Sequence, residues 1–228
     1  MVERVRSGVE GLDRLVEGGF LKGDVILLAG NTGSGKTIFS THFICRGATE
    51  QGEKGVFATF EENAETLKRN MLRFGFDMEK LERKGSIKVL DLEAIKGSGM
   101  SANIDFILNA LKEMEAKRLV IDSLTAFLSA CQVKFEYRML MHLFYKILKK
   151  IDCTSIMTCS IPTGLDTLGL GIEEFIADSV ITLESTVREG QLKTRFLIRK
   201  MRGTNHSRKY HEVVIAKNGL KIVPFSMM

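Results

Sequence analysis

The sequence predicts an α/β fold: a mainly parallel sheet flanked by helices, with an antiparallel strand extension towards the C-terminal end. Three observations predict it. Short apolar runs alternate with longer helical patterns between residues 24 and 160. The short runs are apolar at consecutive positions rather than at every second one, as strands covered on both faces are. After residue 178 the helical patterns stop, and strand-like runs follow one another across turn residues.

In chain order, Asp24 to Gly30 (D-V-I-L-L-A-G) reads as a buried strand and Lys36 to Gln51 as a helix. Gly55 to Phe60 is a strand, Ala64 to Phe74 a helix, Ser86 to Asp91 a strand and Asn103 to Lys117 a helix. Leu119 to Asp122 is a strand, Glu136 to Ile151 a helix and Thr154 to Ser160 a strand. Four further strands are expected at Ser179 to Glu184, Lys193 to Met201, His211 to Ala216 and Leu220 to Val223. Glu189-Gly190 and Asn218-Gly219 supply the hairpin turns between them.

The 228 residues are expected to form one domain, 1–228, large enough to bury a core without disulfide or metal staples. Hydrophobic residues at 44% and charged residues at 27% exclude a disordered or collagen-like chain. Cys45, Cys131, Cys153 and Cys159 show no metal-ligand spacing and read as buried free thiols. Met1 to Arg6 runs straight into charged, Gly-rich sequence rather than a signal peptide, and no apolar run approaches the roughly 20 residues that span a bilayer. A cytoplasmic protein without membrane contact is the expectation.

Net charge is +5, which invites a nucleic-acid partner without establishing one. Its distribution is uneven. Residues 185–228 carry ten Lys and Arg against two acids, a local +8 that leaves −3 on the rest of the chain.

Gly30-Asn31-Thr32-Gly33-Ser34-Gly35-Lys36-Thr37 matches G-x-x-x-x-G-K-[ST], between an apolar strand and a helix. Glycines let the backbone wrap so that several N–H groups meet phosphate oxygens, and the helix N-terminus adds partial positive charge. Asn31, Thr32, Gly33, Ser34 and Gly35 would cradle the phosphates. Lys36 would reach the β- and γ-phosphates, and the Thr37 hydroxyl would hold Mg²⁺. Arg118-Leu119-Val120-Ile121-Asp122 is an apolar strand ending in an acid, which would sit beside this loop and orient the Mg²⁺, usually through water. Many phosphate-loop ATPases place a glutamate directly after that aspartate to align the attacking water; here the residue is Ser123. Glu61 and Glu62, at the end of the Gly55 to Phe60 strand, could activate water instead, their mutual repulsion raising one pKa. Two acids just ahead of the Ala64 helix are equally what a helix N-terminus favours, and the residues alone leave both readings standing.

Taken together the motifs resemble the KaiC-like branch of the RecA-superfamily ATPases, as a single-domain member of archaeal type. The opening Ser7-Gly8-Val9-Glu10-Gly11-Leu12-Asp13 with Gly18-Gly19, the run Val56-Phe57-Ala58-Thr59-Phe60-Glu61-Glu62 and the strand Ile121-Asp122-Ser123-Leu124-Thr125 all match that family in order. So do Gly171-Ile172-Glu173-Glu174-Phe175-Ile176-Ala177-Asp178 and Lys200-Met201-Arg202-Gly203-Thr204-Asn205-His206, the latter fitting K-x-R-G-T-x-H. The resemblance implies a RecA-like phosphate-loop NTPase core and a homohexameric ring with ATP or ADP between neighbours. It implies that Glu61, with Glu62 beside it, polarises the attacking water. It also implies that Lys200, Arg202 and His206 act in trans on the neighbour's nucleotide, Arg202 as an arginine finger. Without the resemblance, the Arg199 to Arg202 cluster reads as a solvated strand face.

The sequence also departs from the family. Clock-associated members carry two such domains and this chain has one, so timing and autokinase activity do not carry over. Ser160 stands where relatives often place an acid. Pro162 to Gly169 corresponds to the pore-facing DNA-binding loop of RecA recombinases, yet it holds no Lys, Arg or aromatic residue. His42 and His142 read as packing or surface residues, and the Met139–Met141 region as core or interface. The expected function is an ATPase with mechanical or regulatory output and an unidentified protein partner. The alternatives are a DNA-handling recombinase paralogue, for which Arg188, Lys193, Arg195, Arg208 and Lys209 remain as spare charge, and a nucleotide-occupied switch with little turnover.

Overall fold

The computed structural model of the chain describes residues 2–92, 99–129, 134–161, 177–188 and 190–225. A short antiparallel ribbon of β1 (Arg4–Val5) and β2 (Phe20–Leu21) opens the chain, with a 3₁₀ turn at Asp13–Leu15 between them. Then come β3 (Val25–Gly30), α1 (Lys36–Glu50), β4 (Gly55–Thr59), α2 (Ala64–Leu72), α3 (Met78–Arg83) and β5 (Ile87–Asp91). α4 (Gly99–Met114), β6 (Arg118–Asp122), α5 (Leu124–Ser129), α6 (Lys134–Lys150) and β7 (Thr154–Ser160) complete the alternating part. β8 (Ser179–Arg188), β9 (Gln191–Met201), β10 (His211–Ala216) and β11 (Gly219–Pro224) follow without helices between them.

One nine-stranded sheet runs in the order β11-β10-β9-β8-β3-β7-β6-β4-β5. β8, β3, β7, β6, β4 and β5 are parallel, while β9, β10 and β11 extend the sheet antiparallel beyond β8. The predicted fold class is therefore what the chain adopts. The consecutive apolar positions have the expected cause. In β3, Ile26 and Leu28 face a core shared with α1, α2 and α3, whereas Val25, Leu27 and Ala29 face a second core shared with α4, α5 and α6. Each face of the strand is dry, so no polar alternation survives.

Several elements differ in extent from the sequence reading. α2 stops at Leu72, and α3, capped by the Asp77 side chain on the Lys80 amide, follows after a turn at Gly75. The β8–β9 hairpin is longer than predicted, because the ladder runs on through Ser185, Thr186 and Val187 as far as Arg188↔Gln191. Its cross-strand pair Val187 and Leu192 is exposed. The N-terminal segment covers the β11 edge: the Ile222 amide donates to the Glu10 carbonyl at 2.8 Å, and Glu10 bridges Lys221. Gly11 is required there. Its φ is 87°, and a Cβ would lie 2.1 Å from the Ile222 carbonyl oxygen.

A buried arginine ties α1 to the sheet. Arg118 opens β6 with no exposed surface and donates to Glu53 at 2.6 Å, to the Phe43 carbonyl at 2.7 Å, to the Arg6 carbonyl at 3.0 Å and to Gln51, while its guanidinium lies over the Phe43 ring. Its neighbour Gly47 leaves room for it: a Cβ there would meet the Arg118 Nε at 2.3 Å.

Candidate active site

The carboxyl ends of β3, β4, β6 and β7 converge on one edge of the sheet, where an open α/β fold presents ligand sites. The loop from Gly30 to Lys36 lies on this edge between β7 and β8. Asn31 pins it on both sides, donating from Nδ2 to the Ile161 carbonyl at 3.3 Å and accepting the Ser185 amide at Oδ1 at 2.9 Å. Thr32 and Gly33 stand exposed at the tip, and Gly33 and Gly35 take φ of 78° and 96°. That backbone turns the loop into the first turn of α1, whose N-cap is Gly35 itself. Ser34 is fully buried, and its hydroxyl has no partner among the described residues. The Lys36 ammonium donates to the Gly30 and Asn31 carbonyls at 2.9 and 3.0 Å. Burial lowers its pKa, opposed by the charges of Asp122 and Glu61.

Asp122 ends β6 beside this loop. Its Oδ2 accepts the Thr37 hydroxyl at 2.7 Å and its Oδ1 accepts the Thr158 hydroxyl of β7 at 2.5 Å. Burial pushes the carboxyl pKa up, while the two hydroxyl donors favour the anion. The hard hydroxyl and carboxylate oxygens of Thr37 and Asp122 fit a Mg²⁺ held mainly by phosphate oxygens and water. Among the described residues no three His, Cys, Asp or Glu side chains gather into a metal cage, which such an ion does not need.

The two adjacent glutamates part company. The Ser123 hydroxyl donates to Glu61, which places that carboxylate beside Asp122 and within the field of Lys36. Glu62 turns the other way and accepts from the Asn70 amide of α2 at 2.6 Å. Helix α2 is capped by Asn63 on the Thr66 amide, and the acid in its first turn is Glu65, so Glu61 and Glu62 both precede the cap. The sequence missed Thr158 and the role of Ser123 as a partner for Glu61. Thr158 sits in a buried strand that also carries Thr154, Ser155 and Ser160, so its polarity alone does not mark it.

Lys200, Arg202 and His206 lie elsewhere. Gly30 pairs with Leu183, but Lys200 and Met201 pair with Val180 and Ser179, and Ser179 pairs with Ile26. The late basic motif thus sits at the amino edge of the sheet, about 13 Å of strand away from the chain's own loop at 30–36. The Lys200 ammonium donates to the Ala177 carbonyl at 2.7 Å, Arg202 lies 3.6 Å from Asp178, and His206 Nδ1 faces the Ser207 carbonyl at 3.0 Å.

The remaining basic residues are partly committed. Arg195 pairs with Glu184 at 3.2 Å and lies over the Tyr210 ring. Cys45, Cys153 and Cys159 are buried thiols outside any disulfide among the described residues; Cys131 falls outside the described residues, as do 162–169 and 171–176. Of the Met-rich helix, Met141 is buried while Met139 and His142 are exposed. His42 is a packing residue with polar duties: it accepts the Leu220 amide at Nε2 at 2.8 Å, and Nδ1 faces the Gly8 carbonyl at 3.1 Å. No helix among the described residues is long and apolar enough to cross a membrane.

Comparison with known proteins agrees with this geometry. A KaiC ATPase family model matches residues 5–226. The circadian clock oscillator protein KaiC of Synechococcus elongatus is 33% identical over 100% of this chain, but the match spans 45% of that protein's length. A UPF0273 protein of Methanocaldococcus jannaschii is 30% identical over 98% of this chain and 97% of its own. The crystal structure of a KaiC-like protein from the hyperthermophilic archaeon Pyrococcus horikoshii superposes with a TM-score of 0.89 at 41% identity, covering 98% of this chain and 100% of that one. A family model spanning nearly the whole chain establishes that the chain belongs to the KaiC ATPase family.

Proposed function

We propose that this chain, as a single ATPase domain over residues 1–228, hydrolyses ATP at the interfaces of a homohexameric ring, with a mechanical or regulatory output. The observation that carries this reading is the separation of two half-sites on one sheet. Lys36, Thr37, Asp122 and Glu61 gather at the carboxyl edge, while Lys200 and Arg202 stand at the amino edge, out of reach of the same loop. A ring that sets one chain's amino edge against its neighbour's carboxyl edge joins them into a complete site.

In that site the loop amides of residues 31–35 and Lys36 bind the triphosphate. Thr37 and Asp122 would hold Mg²⁺, Asp122 through water, and the ion would neutralise charge on the β- and γ-phosphates. Glu61, oriented by Ser123, accepts a proton from the water as its oxygen bonds to the γ-phosphorus and the bond to the β–γ bridging oxygen breaks. Arg202 of the neighbour offsets the charge spread over the equatorial oxygens, with Lys200 and His206 beside the same nucleotide. Glu62, held by Asn70, supports the loop that carries Glu61.

Complementation tests the reading. Lys36→Ala and Arg202→Ala subunits are each expected to release little phosphate. Mixed in equal amounts and reassembled, they place an intact loop against an intact arginine at up to about a quarter of interfaces, so that fraction of turnover should return. No recovery, with both variants in mixed rings by light scattering, would exclude action in trans. Equal phosphate release by the wild type and Glu61→Gln would favour the nucleotide-bound switch instead.

A further inference from the structure

The amino-edge cations are not simply displayed to solvent; two adjacent residues hold them. Lys200 donates to the Ala177 carbonyl, the Arg202 amide donates to the Asp178 carbonyl at 3.1 Å, and the Arg202 guanidinium stands 3.6 Å from the Asp178 carboxylate. A register shift in the β8–β9 ladder aims them there. Val180 pairs with Lys200 but Ile181 pairs with Ile198, so Arg199 is the extra residue of a β-bulge. Phe196 and Ile198 face the core that contains α1. Strict alternation would send Lys200 to the same side, but the bulge puts Met201 there instead. Lys200 and Arg202 then share the other face, towards α6.

Asp178 is itself fixed. Oδ2 accepts the Val25 amide at 3.0 Å and the Lys149 ammonium at 3.2 Å, and Oδ1 accepts the Tyr145 hydroxyl at 2.9 Å. Lys149 also binds Asp24 at 3.0 Å, so two nearly buried carboxylates share one lysine. Within this cluster Arg202 is the cation with room to move, its side chain 56% exposed against 36% for Lys149. Its 3.6 Å separation from Oδ1 is longer than the other contacts.

We infer that Asp178 is a positioning residue for hydrolysis in the adjoining subunit: its carboxylate, fixed by Val25, Tyr145 and Lys149, orients the Arg202 guanidinium for the neighbour's triphosphate. This rests on the trans reading of Arg202 above. The loose ion pair limits the side-chain orientations Arg202 can sample while leaving its exposed donors available to phosphate. Charge balance favours the same arrangement, since Asp24 and Asp178 together already exceed the single charge of Lys149.

A double-mutant cycle tests it on the full chain, reading kcat and KM for ATP by phosphate release, with oligomer size and melting temperature as controls. Asp178→Asn keeps the shape and an acceptor oxygen but removes the charge. It is expected to lower kcat about tenfold with KM changed less than about twofold, and to have no further effect on kcat in an Arg202→Ala background. Equal slowing by Asp178→Asn with and without Arg202 would overturn the proposal. So would an unchanged kcat in Asp178→Asn when Arg202→Ala is slow. An unchanged kcat in Arg202→Ala would instead remove the trans reading itself. Should Asp178→Asn fail to assemble, Tyr145→Phe decides. It removes the hydroxyl that shares Oδ1 with Arg202, and is expected to lower kcat about twofold only where Arg202 is present. The same change in both backgrounds, or in neither, would overturn the proposal.

Discussion

The Thr37 hydroxyl donates to Asp122 Oδ2 across 2.7 Å, joining the first turn of α1 to the end of β6. Two residues 85 positions apart thereby share one oxygen-rich corner beside the loop at 30–36. Asp122→Asn is expected to raise the Mg²⁺ concentration for half-maximal phosphate release by about 10–100-fold, the range for losing a group that orients a metal's ligands. Thr37→Ala should do the same, and Thr37→Ser should stay near wild type because the hydroxyl remains. A Mg²⁺ titration of the four proteins checks this, and an unshifted midpoint in Asp122→Asn would remove it from the metal site.

Glu61 and Glu62 are adjacent in sequence yet accept from different partners, Ser123 and Asn70. Glu61→Gln is accordingly expected to lower kcat by about 10²–10⁴-fold with ATP binding retained, the usual range for a general base. Glu62→Gln should cost far less, about threefold, because its carboxylate is turned away from Asp122. Single-turnover phosphate release and equilibrium nucleotide binding separate the two. A Glu62→Gln variant slower than Glu61→Gln would reverse the assignment.

These two sites show where the sequence was legible and where it was not. β3, β6 and the loop between β3 and α1 could be read because each is a local pattern: consecutive apolar residues, then glycines at fixed spacing. The split of Glu61 from Glu62 could not, since it depends on Ser123, 62 residues from Glu61, and on Asn70 in the helix just ahead, and no local motif marks either residue. Neither could the bulge at Arg199, which exists only in the pairing of β9 with β8. Strict alternation counted along β9 would have pointed Lys200 into the wrong core. The short elements β1, β2, α3 and α5 were missed because two to six residues give too little periodicity to detect. The placement of Lys200 and Arg202 at the amino edge follows from strand register, which local composition does not encode.

Arg118, at the head of β6, is a fully buried cation with four oxygen partners from three segments. Burial lowers its pKa, and Glu53 is the principal charge that opposes the shift. Arg118→Ala removes the guanidinium donor to Glu53, Gln51 and the Arg6 and Phe43 carbonyls and opens a cavity under Phe43. It is expected to destabilise the fold by about 3–5 kcal/mol, as breaking a buried pair does. Arg118→Lys should recover only part of this, because one ammonium cannot reproduce the fork that spans Glu53, Gln51 and Phe43. Urea midpoints at constant slope measure both. A midpoint for Arg118→Ala within error of wild type would show that the network contributes nothing net.

His42 makes the stability of the chain sensitive to acid. The ring accepts the Leu220 amide at Nε2, so its single proton sits on Nδ1, facing the Gly8 carbonyl. A second proton would set an N–H against the Leu220 N–H. Burial first, and the nearby Arg46 charge second, lower the His42 pKa from 6.5 to about 4. Below pH 6.5 the unfolded chain takes up a proton that the folded chain refuses until about pH 4. Its contribution is therefore complete above pH 6.5 and is lost as pH falls towards 4, by up to about 3 kcal/mol. Asp24 and Asp122, whose folded pKa values are raised by burial, act in the opposite sense, so the total slope mixes both. The difference between wild type and His42→Gln isolates the histidine, because glutamine can still donate and accept but does not titrate. Urea unfolding at pH 7.5, 6 and 5 should show that difference shrinking steadily towards acid. A difference independent of pH would mean that the ring is protonated with equal ease in both states.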